Sequence, residues 1–293
     1  MNTYTYYLLD VFTDIKLSGN QLAVLPDAHG IEEQLLQKIA REFNLSETVF
    51  LYPSKNASHP KMRIFTPYQE LPTAGHPTIG TAFILGMESK KDEIILSQKI
   101  GEVKVGVSYK NHAPDIITMK QNLPDFGPIH NNIRKDIAKT LSLKENDLDK
   151  YPIQEVSCGN NFLFVPIKDA KKLSEINFKN EIREGIGEIT HQASFYCFSI
   201  NNVVEGNIQG RMFAPQWGIH EDPATGSANG PLASYLVHHH ILQMPAISLQ
   251  GYEMGRPSQL YLDVTVGPNN EIKEVKVGGK CKLVGKGELF LGS

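Results

Sequence analysis

Two short segments combine proline, glycine and an ionisable side chain just ahead of an apolar, helix-like stretch: Pro72-Thr73-Ala74-Gly75-His76-Pro77 and Asp222-Pro223-Ala224-Thr225-Gly226-Ser227. The first turn of a helix leaves backbone N–H groups without intrahelical partners and carries about half a positive charge. Glycine lets a ligand approach that backbone closely. Each turn is therefore suited to a carboxylate or a phosphate. Thr225 and Ser227 read equally well as ordinary helix caps. A third segment, Leu45-Ser46-Glu47-Thr48-Val49-Phe50-Leu51, sets a carboxyl group before an apolar run. Glu47 is either a solvated strand-edge residue or a group drawn into an apolar cleft, with a raised pKa and the capacity to move protons. His76 at a helix start is either a cap or a neutral imidazole, its pKa lowered by the dipole, that donates or relays a proton. Asp222 is either an N-cap or a partner in the same chemistry.

Other chemistries lack their motifs. Gly185-Ile186-Gly187 is not a full dinucleotide fingerprint, Gly285-Lys286-Gly287 lacks the rest of a phosphate loop, and no Gly-x-Ser-x-Gly elbow occurs. Cys158, Cys197 and Cys281 are too far apart for a zinc spacing or a disulfide framework and read as buried apolar side chains. The run His238-His239-His240 reads as a fraying helix end, because adjacent helical residues point in different directions. No cofactor and no metal is expected. A net charge of -3 argues against nucleic acid as a partner. No apolar run is long enough for a membrane helix, and the start, MNTYTYYLLDVF, does not read as a signal peptide. A reducing, cytoplasmic setting is the expectation.

At 293 residues, about two domains are expected. The chain also repeats itself. Arg63-Ile64-Phe65-Thr66-Pro67 runs on to Glu70-Leu71-Pro72 and a helix; Arg211-Met212-Phe213-Ala214-Pro215 runs on to Glu221-Asp222-Pro223 and another, with three extra residues. Gly19-Asn20 and Gly159-Asn160 each precede a short apolar run. Strand patterns fall at 4–11, 22–25, 47–51, 94–97 and 103–109, then 162–166, 194–200, 211–214, 260–266 and 274–277. Helical patterns cover 31–43, 77–86, 133–141 and 229–239. Many strands and few helices predict an α+β chain of two related domains: 1–115, with the last strand at 284–293 returning to it, and 116–283. The linker is expected at 111–114, and Trp217 is expected to pack at the domain seam. If the domains face each other, both helix starts open into one cleft.

These stretches, with Asp10-Val11-Phe12-Thr13, Gln250-Gly251 and Met254-Gly255-Arg256-Pro257-Ser258, resemble the phenazine-biosynthesis PhzF-like family within the diaminopimelate-epimerase fold. The resemblance spans nearly the whole chain. It implies two pseudo-symmetric domains, each a barrel-like, mostly antiparallel sheet around a central helix, and a homodimer. The fold's epimerases use two opposed cysteines; the matching positions look like Ala74 and Thr225, neither of which is a base near neutral pH. The resemblance implies a cofactor-independent isomerase acting on a small anionic substrate. A glutamate matching Glu47 moves a proton between carbons of a small cyclic amino acid, trans-2,3-dihydro-3-hydroxyanthranilate. His76 and Asp222 complete the expected catalytic set, and Asn20, Gly75, Pro77, Thr225, Gly226 and Ser227 are the expected substrate-binding positions. A racemase with Glu47 and His76 as opposing bases, and an anion-binding protein without turnover, stand as alternatives.

Overall fold

The computed structural model describes residues 2–53, 59–200 and 208–292. The chain divides into two compact units, one running to Lys120 and resuming at Gly278, the other Gln121–Val277. In the first, β1 (Asn2–Val11), β2 (Asn20–Leu25), α1 (Glu33–Phe43), β3 (Glu47–Tyr52), β4 (Lys61–Phe65) and β5 (Glu70–Leu71) lead to α2 (Gly75–Ser89). Then follow β6 (Glu93–Gln98), β7 (Gly101–Lys110) and β8 (Ala113–Gln121). The second unit holds β9 (Asp125–Ile129), α3 (Arg134–Thr140), β10 (Gln154–Ser157), β11 (Asn161–Pro166), α4 (Ala170–Ser174), α5 (Asn180–Glu184), β12 (Ser194–Ile200), β13 (Ile208–Ala214) and β14 (Ile219–Asp222). It ends with α6 (Gly226–His238), β15 (Ala246–Gln250), β16 (Ser258–Val266) and most of β17 (Ile272–Gly279), before β18 (Cys281–Leu291) pairs antiparallel with β1 in the first unit.

The result is a mixed, sheet-rich fold with few helices. Within the first unit, β1 pairs antiparallel with β2, β2 parallel with β3, β3 antiparallel with β4, β4 antiparallel with β5 and parallel with β6, and β6 antiparallel with β7. Within the second, β10 to β16 follow that same order of antiparallel and parallel pairings. The segment at 111–114, read as a linker, is instead a hairpin turn: Lys110 pairs with Ala113, and Asn111 and His112 both have left-handed φ. Asn and His in a loop serve a tight turn as readily as a linker.

Two kinds of helix follow from two kinds of sequence. α1 buries only Leu36, Ile39 and Ala40 and covers a core of Tyr4, Leu25, Phe50 and Phe65, as an amphipathic surface helix does. In α2, every residue from Gly75 to Ile84 is buried, and the helix packs against β1, β2, β3, β6 and β7. α6 is buried almost as fully and packs against β10, β11 and β16. A helix that is apolar all round must be covered on all sides. Strands therefore enclose the start of each such helix, and the residues there are drawn into the interior. Among the described residues no helix is long and apolar enough to cross a membrane.

Candidate active site

In the first unit the β1–β2 loop delivers Asn20. Asp10 Oδ2 accepts a 2.6 Å hydrogen bond from the Leu17 amide. Gly19 turns the chain at φ 68°, where a Cβ would run into the Val11 carbonyl oxygen, so only glycine fits. Asn20 then opens β2 fully buried, and Glu47 opens β3 beside Leu22, 8% exposed. His76, second residue of α2 and 6% exposed, stands between them. Its Nδ1 lies 3.4 Å from Asn20 Nδ2, and its Nε2 lies 3.1 Å from Glu47 Oε2. Burial lowers the His76 pKa to about 3, against a smaller opposing effect of the Gln21 backbone, so the ring is neutral near pH 7. Nδ1 faces the Asn20 amide and Nε2 faces the carboxylate, and the donor and acceptor roles follow the ring's tautomer. The Nε2–Oε2 approach is an ion-pair distance without the alignment of a good hydrogen bond.

Neither helix start is capped by a side chain. Ala74, at the N-cap of α2, has no hydrogen-bonding side chain, and the Thr78 hydroxyl reaches back 2.6 Å to its carbonyl. Thr225, at the N-cap of α6, donates its hydroxyl to Asp222 Oδ2 at 2.5 Å. The capping role open to Thr225 in the sequence is therefore not the one it has. Gly75 and Pro77 are buried in the first turn of α2. Pro77 is tolerated there because a first-turn residue needs no N–H. Gly226 is buried and Ser227 half-buried in the first turn of α6.

Beneath the second turn lies a buried polar network whose centre, Gln250, belongs to the resemblance but whose role the sequence does not show. Gln250 Oε1 accepts from the Thr225 amide at 3.1 Å, while Gln250 Nε2 donates to the Asp222 carbonyl at 2.7 Å and to Thr225 Oγ1 at 3.0 Å. Asn229 donates to the Thr225 carbonyl at 2.9 Å, and the Tyr196 hydroxyl, Ser248 and Asn229 close the network. The next residue, Gly251, has φ 78°, and a Cβ there would sit 2.6 Å from the Pro223 carbonyl oxygen. In the first unit, Gln98, last residue of β6, likewise donates to Thr78 at 2.7 Å. The available signal was that two strands, each following a repeated helix, both end in glutamine.

Each turn is also braced from behind. Arg63 Nε and Nη2 donate to Glu70 at 2.7 and 2.8 Å, and Arg211 Nε and Nη2 donate to Glu221 at 2.8 Å each. The hydrogen bonds from Arg63 hold the Glu70 carboxyl below its ordinary range. The longer second copy contains a 3-10 turn, Pro215–Trp217. Trp217, expected to be packed, is 58% exposed, because this short turn carries it outward. Cys197 and Cys281 are buried and Cys158 partly so; burial raises all three thiol pKa values, that of Cys158 to about 12, so none is a thiolate base. α6 ends at His238, which stacks on Phe126, and His239 bonds Gln154, in keeping with a helix terminus.

Asn20, Gly75, His76, Pro77 and Glu47 thus meet within the first unit, and Asp222, Thr225, Gly226 and Ser227 within the second. The profile of the phenazine biosynthesis-like family matches residues 9–287. An uncharacterized isomerase of Clostridium acetobutylicum is 35% identical over 98% of both chains. The trans-2,3-dihydro-3-hydroxyanthranilate isomerase of Pseudomonas fluorescens is 31% identical over 98% of this chain and 100% of its own. A PhzF-family crystal structure from Bacillus anthracis superposes with a TM-score of 0.90 at 27% identity, over 99% of this chain and 100% of the other. Matched over nearly its whole length, the chain is an isomerase and belongs to the phenazine biosynthesis-like (PhzC-PhzF) family.

Proposed function

We propose that this isomerase moves a proton between carbons of a small, cyclic, amino-acid-like carboxylate without a cofactor, with Glu47 as general acid and base. The carrying observation is the pairing of Glu47 with a neutral His76, both buried, at a helix start that no side chain caps. Glu47 takes a C–H proton and returns it to another carbon on the same face of the substrate. His76, neutral beside the Glu47 carboxylate, orients the substrate and relays protons. A positioned acid/base contributes roughly 10²–10⁴-fold. Delocalisation in the substrate and donors aimed at the developing charge supply the remainder.

The substrate's carboxylate binds backbone amides of a helix start, near Gly75-His76 or near Gly226-Ser227. Asn20 and Pro77 shape the first turn, and Asp222, oriented by Thr225, holds the substrate's amine or hydroxyl. The matching order of pairings in the two units supports a duplicated fold of two pseudo-symmetric domains, each a barrel-like sheet around its buried helix.

A racemase with Glu47 and His76 on opposite faces of one carbon would need the two groups roughly 6–7 Å apart, twice a near-attack distance. Their 3.1 Å separation argues against that pairing. The first probe is trans-2,3-dihydro-3-hydroxyanthranilate, the substrate named for the Pseudomonas relatives, followed by a panel of cyclic amino acids. Turnover by the wild type with loss of at least about 10²-fold in kcat for Glu47→Gln supports the reading. Turnover that survives Glu47→Gln overturns it. Tight binding of such acids without turnover favours the anion-binding alternative.

A further inference from the structure

We infer that His130, Glu155 and His191, in the second unit, form a binding site for one divalent cation of the zinc class. None of the three belongs to the site described above. Positions 130, 155 and 191 show no metal spacing in sequence; the fold assembles them. His130 follows β9, Glu155 lies in β10 where the β9–β10 register shifts, and His191 precedes β12. Such a bulge re-aims side chains.

Their ligand atoms all lie within 4.8 Å of one another. His130 Nε2 is 2.6 Å from Glu155 Oε1, and His191 Nδ1 is 2.9 Å from Oε1 and 3.1 Å from Oε2. The two imidazoles therefore converge on one carboxylate through one ring nitrogen each. His130 and Glu155 are 5% and 2% exposed, whereas the His191 side chain is 60% exposed. Two sides of the cluster are fixed by the interior, and the third opens to solvent, where a cation can enter and keep a water ligand.

Two histidines and one carboxylate suit zinc, which takes nitrogen at about 2.0–2.1 Å and carboxylate oxygen at about 2.0–2.2 Å. Tetrahedral ligands at those lengths stand roughly 3.4 Å apart. The histidine–carboxylate separations need to open by under about 1 Å, and the two ring nitrogens, within 4.8 Å of each other, to close by up to about 1.4 Å, within the reach of side-chain rotation. Asn161 supplies the outer support: its Nδ2 donates to Glu155 Oε2 at 2.6 Å, fixing the carboxylate plane. The loop carrying His191 is anchored by the next residue, whose Gln192 Oε1 accepts from Arg183 at 2.7 Å. Magnesium and calcium prefer all-oxygen ligand sets and are poor candidates here.

The test uses the full chain, stripped with a chelator and titrated with zinc chloride by calorimetry, with bound metal counted by mass spectrometry. The inference expects one zinc per chain and a melting temperature raised by a few degrees at saturating zinc. His191→Ala is the decisive variant because its side chain is exposed and its loss spares the core; it should weaken binding at least tenfold and abolish the thermal shift. Glu155→Gln should weaken binding similarly where circular dichroism shows it folded. The double variant His238→Ala/His240→Ala, which alters the other histidine group, should bind as the wild type does. Absence of stoichiometric zinc, unchanged affinity in His191→Ala, or loss of binding in the His238/His240 variant instead would overturn the inference and leave a buried carboxylate–histidine ion pair.

Discussion

Replacing His76 with glutamine tests the protonation state on which the proposed chemistry rests. Burial holds the His76 pKa at about 3, against 6.5 for a free imidazole. Between those values the unfolded chain binds a proton that the folded chain does not. Stability is therefore full above about pH 6.5 and falls as the pH drops toward 3, by up to ~1.4 kcal/mol per unit. From pH 7.5 to pH 5 the loss is about 2 kcal/mol, and down to pH 3 about 4 kcal/mol, a sizeable part of the roughly 5–15 kcal/mol that typically holds a domain together. The window above pH 5 is the informative one. Below it, Glu70 and Glu33, whose carboxyl groups the Arg63 hydrogen bonds hold low, also lose their contribution. Far-UV circular dichroism of urea unfolding at pH 7.5, 6.5, 5.5 and 5.0 is the assay, since Trp217 is too exposed to report on the core. His239, whose pKa burial also lowers, contributes in the same window, so His239→Asn serves as the reference variant. In His76→Gln the fall in stability from pH 7.5 to 5 should shrink by about 2 kcal/mol relative to wild type. An unchanged slope would mean that His76 is charged in the folded protein, and the neutral-relay role would fail.

Three further outcomes follow from the same geometry. Gly251→Ala should destabilise by about 2–5 kcal/mol in thermal unfolding, since its φ of 78° and the nearby Pro223 and Arg256 carbonyls leave no room for a Cβ. Glu221→Gln strips the counter-charge from a buried guanidinium held by two hydrogen bonds and should cost about 3–5 kcal/mol by urea titration; a neutral result would mean the pair does not brace the turn. Gln250→Leu leaves the Thr225 amide and the Asp222 carbonyl without the partner they now share. It should lower stability by about 2–3 kcal/mol and reduce kcat/KM, with Gln250→Glu restoring less than half of either loss.

The features legible in the sequence were those with a local cause. Alternating or β-branched runs marked most strands, because burial of one strand leaves its imprint on consecutive residues. The mostly apolar stretches after Gly75 and Gly226 announced helices, while the repeated order of Arg and Glu marked the duplication without showing that each pair forms a brace. Glu47 and His76 were legible one at a time, but not as a pair 3.1 Å apart, because a strand start and a helix start 29 positions away meet only through tertiary packing. Gln250 was legible as part of the resemblance but its role was not, because a glutamine ending a strand looks like surface, and only the fold shows it fully buried under Thr225. His130, Glu155 and His191 are hidden for the same reason. The hairpin at Asn111-His112 and the outward turn at Trp217 were misread because turn composition does not say whether a chain reverses or links, and a lone aromatic does not say which way it faces.

The central claim, that Glu47 carries the proton, is tested most directly by nuclear magnetic resonance of trans-2,3-dihydro-3-hydroxyanthranilate, or of whichever cyclic amino acid is turned over, in heavy water. Wild-type enzyme should exchange deuterium into the substrate's carbon skeleton, or transfer the proton internally in step with isomerisation. In Glu47→Gln both processes should vanish while the fold and substrate binding persist. Exchange or transfer at the wild-type rate in that variant would contradict the account.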